Sequence, residues 1–159
     1  MYKKVQYFKD YMKESTINNY GIQYIPSYDE DRTYINAYIN EKNIGSIIFQ
    51  EIMEAYEYEF SDDISEYEFD NLFTEDVIIK LEHLEVIDEF KGKGISKELI
   101  EKGLGVMVDM GYTQFYLNAS PMGFKGLSKN SLVKLYEKCG FITFLDQGGN
   151  ALMRLIIKK

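Results

Sequence analysis

Val77-Ile78-Ile79-Lys80-Leu81-Glu82-His83-Leu84-Glu85-Val86 leads, through Ile87-Asp88-Glu89-Phe90, into Lys91-Gly92-Lys93-Gly94-Ile95-Ser96, and the reading of this passage decides the fold. The first part is a β-branched, apolar run of strand type. The second is a glycine-bearing turn, after which Ile95, Leu99, Gly103, Val106, Met107 and Met110 recur at spacings of three or four, one face of a helix. Gly111 is its natural stop. A buried strand that turns through glycines into a helix brings several backbone N–H groups to one point at the helix N-terminus, and such a point attracts anions. Glycine at 92 and 94 lets a bulky diphosphate approach the backbone, and Lys91 and Lys93 add positive charge. Gly-Lys-Gly also occurs in ordinary turns, so the loop alone does not name a ligand. Walker A requires Gly-Lys-Ser/Thr after a longer glycine loop, and the dinucleotide fingerprint requires Gly-x-Gly-x-x-Gly. Gly92-Lys93-Gly94 followed by Ser96-Lys97 meets neither, which removes nucleotide kinase and dehydrogenase readings.

Outward from this unit, Thr33 to Asn40 and Ile44 to Phe49 read as strands joined by a hairpin at Glu41-Lys42-Asn43. Tyr2 to Met12 reads as a short helix, and the rest of residues 1–30 carries no assignment. Downstream, Phe115-Tyr116-Leu117 is a short strand. A second helix starts at Ser128 as N-cap, buries Leu132, Leu135, Tyr136 and Cys139, and ends at Gly140. Strands near Phe141 to Leu145 and Ala151 to Ile157 flank a Gly148-Gly149-Asn150 turn. Residues 51–76 hold eleven Asp or Glu and no Lys, Arg or His. They read as a strand continuing past Glu51 and then a solvated acidic loop, or as a rim that attracts a cationic substrate.

The run Leu84 to Ser96 resembles the acetyl-CoA motif of the Gcn5-related N-acetyltransferase (GNAT) family, Arg/Gln-x-x-Gly-x-Gly/Ala after a hydrophobic strand. Leu135-Tyr136-Glu137-Lys138-Cys139-Gly140-Phe141 resembles that family's second signature, and the likeness runs roughly from residue 76 to 145. Lys91 stands where Arg or Gln is usual, Ser96 where Gly or Ala is usual, and Asn130 lies one position later than the family's Asn. The resemblance implies an α/β fold with a mixed, splayed central β-sheet flanked by helices, and acetyl-CoA as acyl donor to a primary amine. It implies that the backbone of Leu84 and Val86 pairs with the pantetheine arm, and that Lys91, Gly92, Lys93, Gly94, Ile95 and Ser96 hold the pyrophosphate. Lys91 and Ser96 each keep a backbone amide for that purpose. Tyr136 matches the family tyrosine that protonates the leaving thiolate. Glu82 stands where some members place the base, and by simple alternation it shares a strand face with Leu84 and Val86 unless a bulge intervenes. His83 then points to the other face and reads as structural. Cys139 lies on an apolar helix face with no base beside it and reads as a buried structural thiol.

The composition bounds these expectations. A chain of 159 residues with 45% hydrophobic and 28% charged residues suits one acyltransferase domain over residues 1–159. One His and one Cys supply no zinc site of the usual kind, and the acidic run lacks a calcium loop's spaced glycine. A net charge of −8 repels nucleic acid and anionic membranes, and leaves an amine substrate of cationic character as the easier partner. No apolar run reaches the roughly 20 residues of a membrane span, and the expectation is a cytoplasmic protein. Homodimerisation stays open. A reading from a different class also stands: a catalytically silent GNAT-like interaction protein whose residues 51–76 bind a basic partner.

Overall fold

The computed structural model describes residues 21–121 and 127–158; the helix expected from Tyr2 to Met12 lies outside them. Among the described residues seven strands form one sheet: β1 (Gln23–Asp29), β2 (Arg32–Ile39), β3 (Lys42–Met53), β4 (Val77–Val86), β5 (Gln114–Ala119), β6 (Ile142–Asp146) and β7 (Ala151–Ile156). Their spatial order is β1-β2-β3-β4-β5-β7-β6. The helices are α1 (Glu66–Leu72), α2 (Ile95–Asp109) and α3 (Lys129–Lys138). Every neighbouring pair is antiparallel except β4 and β5, which run parallel and pair only at Ile79↔Phe115 and Lys80↔Tyr116. Beyond these two pairs the sheet opens.

The hairpin between β2 and β3 closes earlier than the sequence suggests. Ile39 pairs with Lys42, so the loop is the two residues Asn40 and Glu41, with φ of 46° and 70°. Positive φ at both positions gives the turn whose twist matches the strands, and Asn adopts it readily. Strand β1 lies in a stretch that carries no assignment in the sequence. It is held by pairing along its whole length with β2, and by Tyr24, whose buried hydroxyl donates to Glu98 of α2.

One face of the sheet packs against α2 and α3. Ile35, Ala37, Ile47, Phe49, Ile79, Leu81, Leu84 and Val86 meet Leu99, Ile100, Val106, Leu132 and Tyr136 there. Close approach is built into α2: a Cβ on Gly103 would collide with the Phe49 ring, 2.8 Å from its Cζ.

The other face corrects a sequence expectation. The strand does continue past Glu51, to Met53, but the acidic segment is not a solvated loop. A π-helical turn at Tyr56–Phe60 and helix α1 lay Phe60, Ile64 and Phe73 against Ile78, Tyr116 and Leu152. The Phe60 and Tyr116 rings lie 4.7 Å apart, and those of Phe69 and Phe73 5.3 Å. Ser65 starts α1 as its N-cap, accepting from Glu68 N at 3.1 Å while its hydroxyl donates to the Glu68 carboxylate at 3.1 Å. Arg154 closes its other end by donating to Leu72 O at 2.9 Å. The acids therefore ride outside a second aromatic core, and no helix among the described residues is long and apolar enough to cross a membrane.

Candidate active site

Strand β4 supplies the open edge. Ile87 N donates to Ile44 O at 2.9 Å, toward β3. Backbone polar groups alternate sides along a strand, so Leu84 and Val86 turn theirs away from β3, into the gap left by β5. Their side chains, 4% exposed each, anchor the strand in the α2 core.

After a 3₁₀ turn at Asp88–Phe90 comes the glycine loop. Gly92 and Gly94 have φ of 77° and 78°, a conformation disfavoured for side-chain-bearing residues, and a Cβ on either would meet nothing within 4 Å. Gly94 occupies the N-cap of α2 and contributes no side chain, so the first-turn amides face outward without side-chain competition. A cavity of about 320 Å3 adjoins this turn, walled by Val86, Phe90 and the loop on one side and by Leu127, Ser131, Leu135 and Lys138 on the other. Lys97 and Lys138 line it as well. Lys97 follows the loop directly in the chain and pairs with Glu101 at 3.5 Å, whereas Lys138 had no signal in the sequence, because only the packing of α3 beside α2 brings it to the loop.

One loop residue departs from expectation. The Lys91 amide donates to Asp88 O at 3.2 Å, closing the 3₁₀ turn, and its ammonium pairs with Asp88 at 2.8 Å. Lys91 thus offers a side-chain charge rather than a backbone donor. The Lys93 ammonium lies 5.1 Å from the centroid of the Phe90 ring. Ser96, inside the first turn of α2, keeps its place in the cavity wall.

Tyr136 sits on the buried face of α3, 7% exposed, with the Phe141 ring 6.0 Å away. Ser128 caps that helix as expected, accepting from Ser131 N at 3.2 Å. Tyr136 shares the core of Leu84 and Val86 and is not in the wall of the loop cavity. Burial, and then the neighbouring Cys139, push its pKa up to about 12, so the hydroxyl keeps its proton. Cys139 is half-buried, and its thiol is raised chiefly by burial, as an unreactive cysteine should be.

The face expected for Glu82 needs correction. β4 registers Leu81 with Phe49 but His83 with Ile48, which leaves Glu82 as the extra residue of a bulge. Leu81 and Leu84 therefore enter the same core, and Glu82 lies on the opposite face of the sheet from Leu84 and Val86. There its two oxygens accept from Arg32 Nε at 3.0 Å and Nη2 at 3.2 Å. His83 also lies away from Leu84 and pairs with Glu85 at 3.3 Å. The splay thus separates two sides, with the glycine loop and Tyr136 on one and Glu82, Arg32 and the acidic segment on the other. No cluster of His, Cys, Asp or Glu among the described residues could hold a metal ion.

An open sheet with one short parallel pairing and a glycine turn beside it is the arrangement expected from the resemblance to acyl-CoA-dependent transferases, and the comparisons show the family. The chain belongs to the acetyltransferase (GNAT) family, whose model matches residues 4–141. The PaiA N-acetyltransferase of Thermoplasma acidophilum, solved with coenzyme A, superposes with a TM-score of 0.54 at 18% identity over 79% of this chain. This chain spans 61% of the length of that protein. NAA60 of Arabidopsis thaliana, solved with a bisubstrate analogue, gives 0.56 at 19% identity, covering 82% of this chain and 78% of that one. Arylalkylamine N-acetyltransferase 2 of Aedes aegypti gives 0.56 at 18%, covering 79% and 73%. Sequence comparison with curated proteins finds no match. The family's donor is acetyl-CoA, and the outward amides, the open φ-positive glycines and Lys97 and Lys138 fit its diphosphate.

Proposed function

We propose that this protein transfers the acetyl group of acetyl-CoA directly to a primary amine of a cationic small molecule, peptide or protein. The observation that carries the reading is the joint placement of Val86, on the stretch of β4 that β5 leaves unpaired, and the φ-positive Gly92 and Gly94 beside one cavity. Acetyl-CoA supplies the activated thioester. Backbone amides near Leu84 to Val86 donate to the thioester oxygen, where charge builds as nitrogen attacks. Glu82, directly or through water, accepts the proton that the amine must shed, and Tyr136 passes its hydroxyl proton to the departing sulfur as the carbon–sulfur bond breaks. That Tyr136 stays protonated supports the acid role.

The cationic acceptor is supported by the face on which Glu82 lies. A cavity of about 500 Å3 between β3 and α1 is lined by Glu54, Glu57, Glu66, Asp70, Glu75 and Asp76 beside aromatic rings. Transfer to nitrogen is supported by the structural neighbours named as N-acetyltransferases. Calorimetric titration with acetyl-CoA, run in parallel on Gly94→Glu, is the test: micromolar binding lost in the variant is expected, and wild type without affinity would end the proposal. Tyr58 and Tyr67, 76% and 78% exposed on the acidic segment, favour one second reading, an interaction protein for a basic partner. Binding of a basic protein that Gly94→Glu leaves intact, with no turnover of any amine, would select it.

A further inference from the structure

Lys80 and Tyr116 are the last residues at which β4 and β5 pair, and they share one face, the Lys80 ammonium lying 5.8 Å from the centroid of the Tyr116 ring. Two residues further along the two strands stand Glu82 and Asn118. Leu117 and Ala119 enter the core under α2, so by alternation Asn118 faces the other way, to the side on which Glu82 lies. Glu82 is near enough to act electrostatically on the Tyr116 hydroxyl, which ties the carboxylate to the β5 wall of the opening. Asn118 itself is exposed, between two buried neighbours.

The Asn118 amide is held in one orientation. Gln147 Nε2 donates to Asp63 at 2.7 Å, and because a carboxylate only accepts, Gln147 must present its oxygen to Asn150. Asn150 Nδ2 donates to that oxygen at 2.7 Å and to Asn118 Oδ1 at 2.8 Å. The turn that carries Gln147 and Asn150 is pinned in its turn by Lys129, which donates to Asp146 and, at 2.8 Å, to Gly148 O. Asn118 therefore has its oxygen engaged, while its Nδ2 finds no acceptor among the described residues. An exposed amide needs no such support merely to be solvated, whereas a preoriented donor across the splay from a candidate base suits a binding site. We propose that Asn118 is a specificity-determining residue of the acceptor site, donating an Nδ2 hydrogen to an oxygen of the acceptor whose amine Glu82 receives. The carboxylates of Glu82 and Asp63 repel a negative charge there, so the oxygen is that of a neutral carbonyl. The preferred acceptor is an amine next to an amide carbonyl, as at the N-terminus of a peptide chain, over a polyamine that has no oxygen. This inference rests on the acetyl-transfer reading and names its substrate class.

The test compares wild type with Asn118→Asp and Asn118→Ala in thermal unfolding, in acetyl-CoA titration, and in CoA release with alanyl-alanine amide or spermidine as acceptor. Asn118→Asp keeps an oxygen for Asn150 and removes the donor, so an undiminished Tm is expected. Both variants should retain acetyl-CoA affinity and show kcat/KM for the peptide amide lowered tenfold or more, with spermidine turnover maintained. Should Asn118→Asp lose its fold, the ratio in Asn118→Ala decides. An unchanged ratio of peptide-amide to spermidine turnover would overturn the proposal, and so would an equal loss with both acceptors, the result of a merely structural role. Wild type that binds acetyl-CoA and acetylates other amines but not the peptide amide would refute the inference alone, whereas wild type without acetyl-CoA affinity would remove the parent reading with it.

Discussion

Gly94 combines two demands that separate substitutions can tell apart. Its φ of 78° makes any side chain costly by about 1–2 kcal/mol, while the open space around it is where a diphosphate would rest. Gly94→Ala is expected to lower stability by about that amount in urea unfolding and to keep measurable acetyl-CoA binding. Gly94→Glu adds bulk and charge, and is expected to remain folded by circular dichroism while losing binding altogether. Tyr136 makes a prediction in pH. Its pKa is about 12 in the folded protein, above the ordinary tyrosine value, so its contribution to stability is intact below pH ~10 and lost as pH rises through 12. Urea midpoints of wild type and Tyr136→Phe should therefore converge between those limits, by up to about 2–3 kcal/mol of stability. In turnover, Tyr136→Phe should lower kcat while leaving acetyl-CoA affinity near wild type; an unaffected kcat would leave Tyr136 a packing residue.

At the scale of elements, the strand, turn and helix from Val77 to Asp109 were legible because each carries its own local signal: β-branched residues, two glycines, then a three-and-four periodicity. The capped start of α3 was legible for the same reason. The acidic segment was misread because its charges hide the spacing of Tyr56, Phe60 and Ile64, and of Phe69 and Phe73, four residues apart, which is a helix period. Phe60→Ala should cost about 3–5 kcal/mol in chemical unfolding, far more than a ring on a solvated loop would. Gly103→Ala should cost about 1–3 kcal/mol, since the added methyl must displace the Phe49 ring between α2 and β3. The bulge at Glu82 had no local signature, because it arises from the register that β3 imposes on β4.

For the whole molecule, the charge is divided between faces of the sheet. Lys91, Lys97 and Lys138 line the cavity at the glycine loop, and Glu54, Glu57, Glu66, Asp70, Glu75 and Asp76 line the cavity beside α1. A cationic acceptor drawn by that acidic field should show a KM that rises as salt increases from about 0.05 to 0.5 M, because screening shortens the field's reach to a few ångströms. A neutral acceptor should show no such trend, and steady-state kinetics at fixed pH would separate the two. The local elements and the chemistry of the loop are written in the chain, since turn preference, helix period and backbone approach are encoded within a few neighbouring residues. Which residues meet is set by long-range packing. Strand order, the short parallel pairing of Ile79 and Lys80 with Phe115 and Tyr116, the face given to Glu82 and the seating of Tyr116 under Lys80 all depend on pairings between segments far apart in the chain, and those are settled by the packing of the two cores on either side of the sheet.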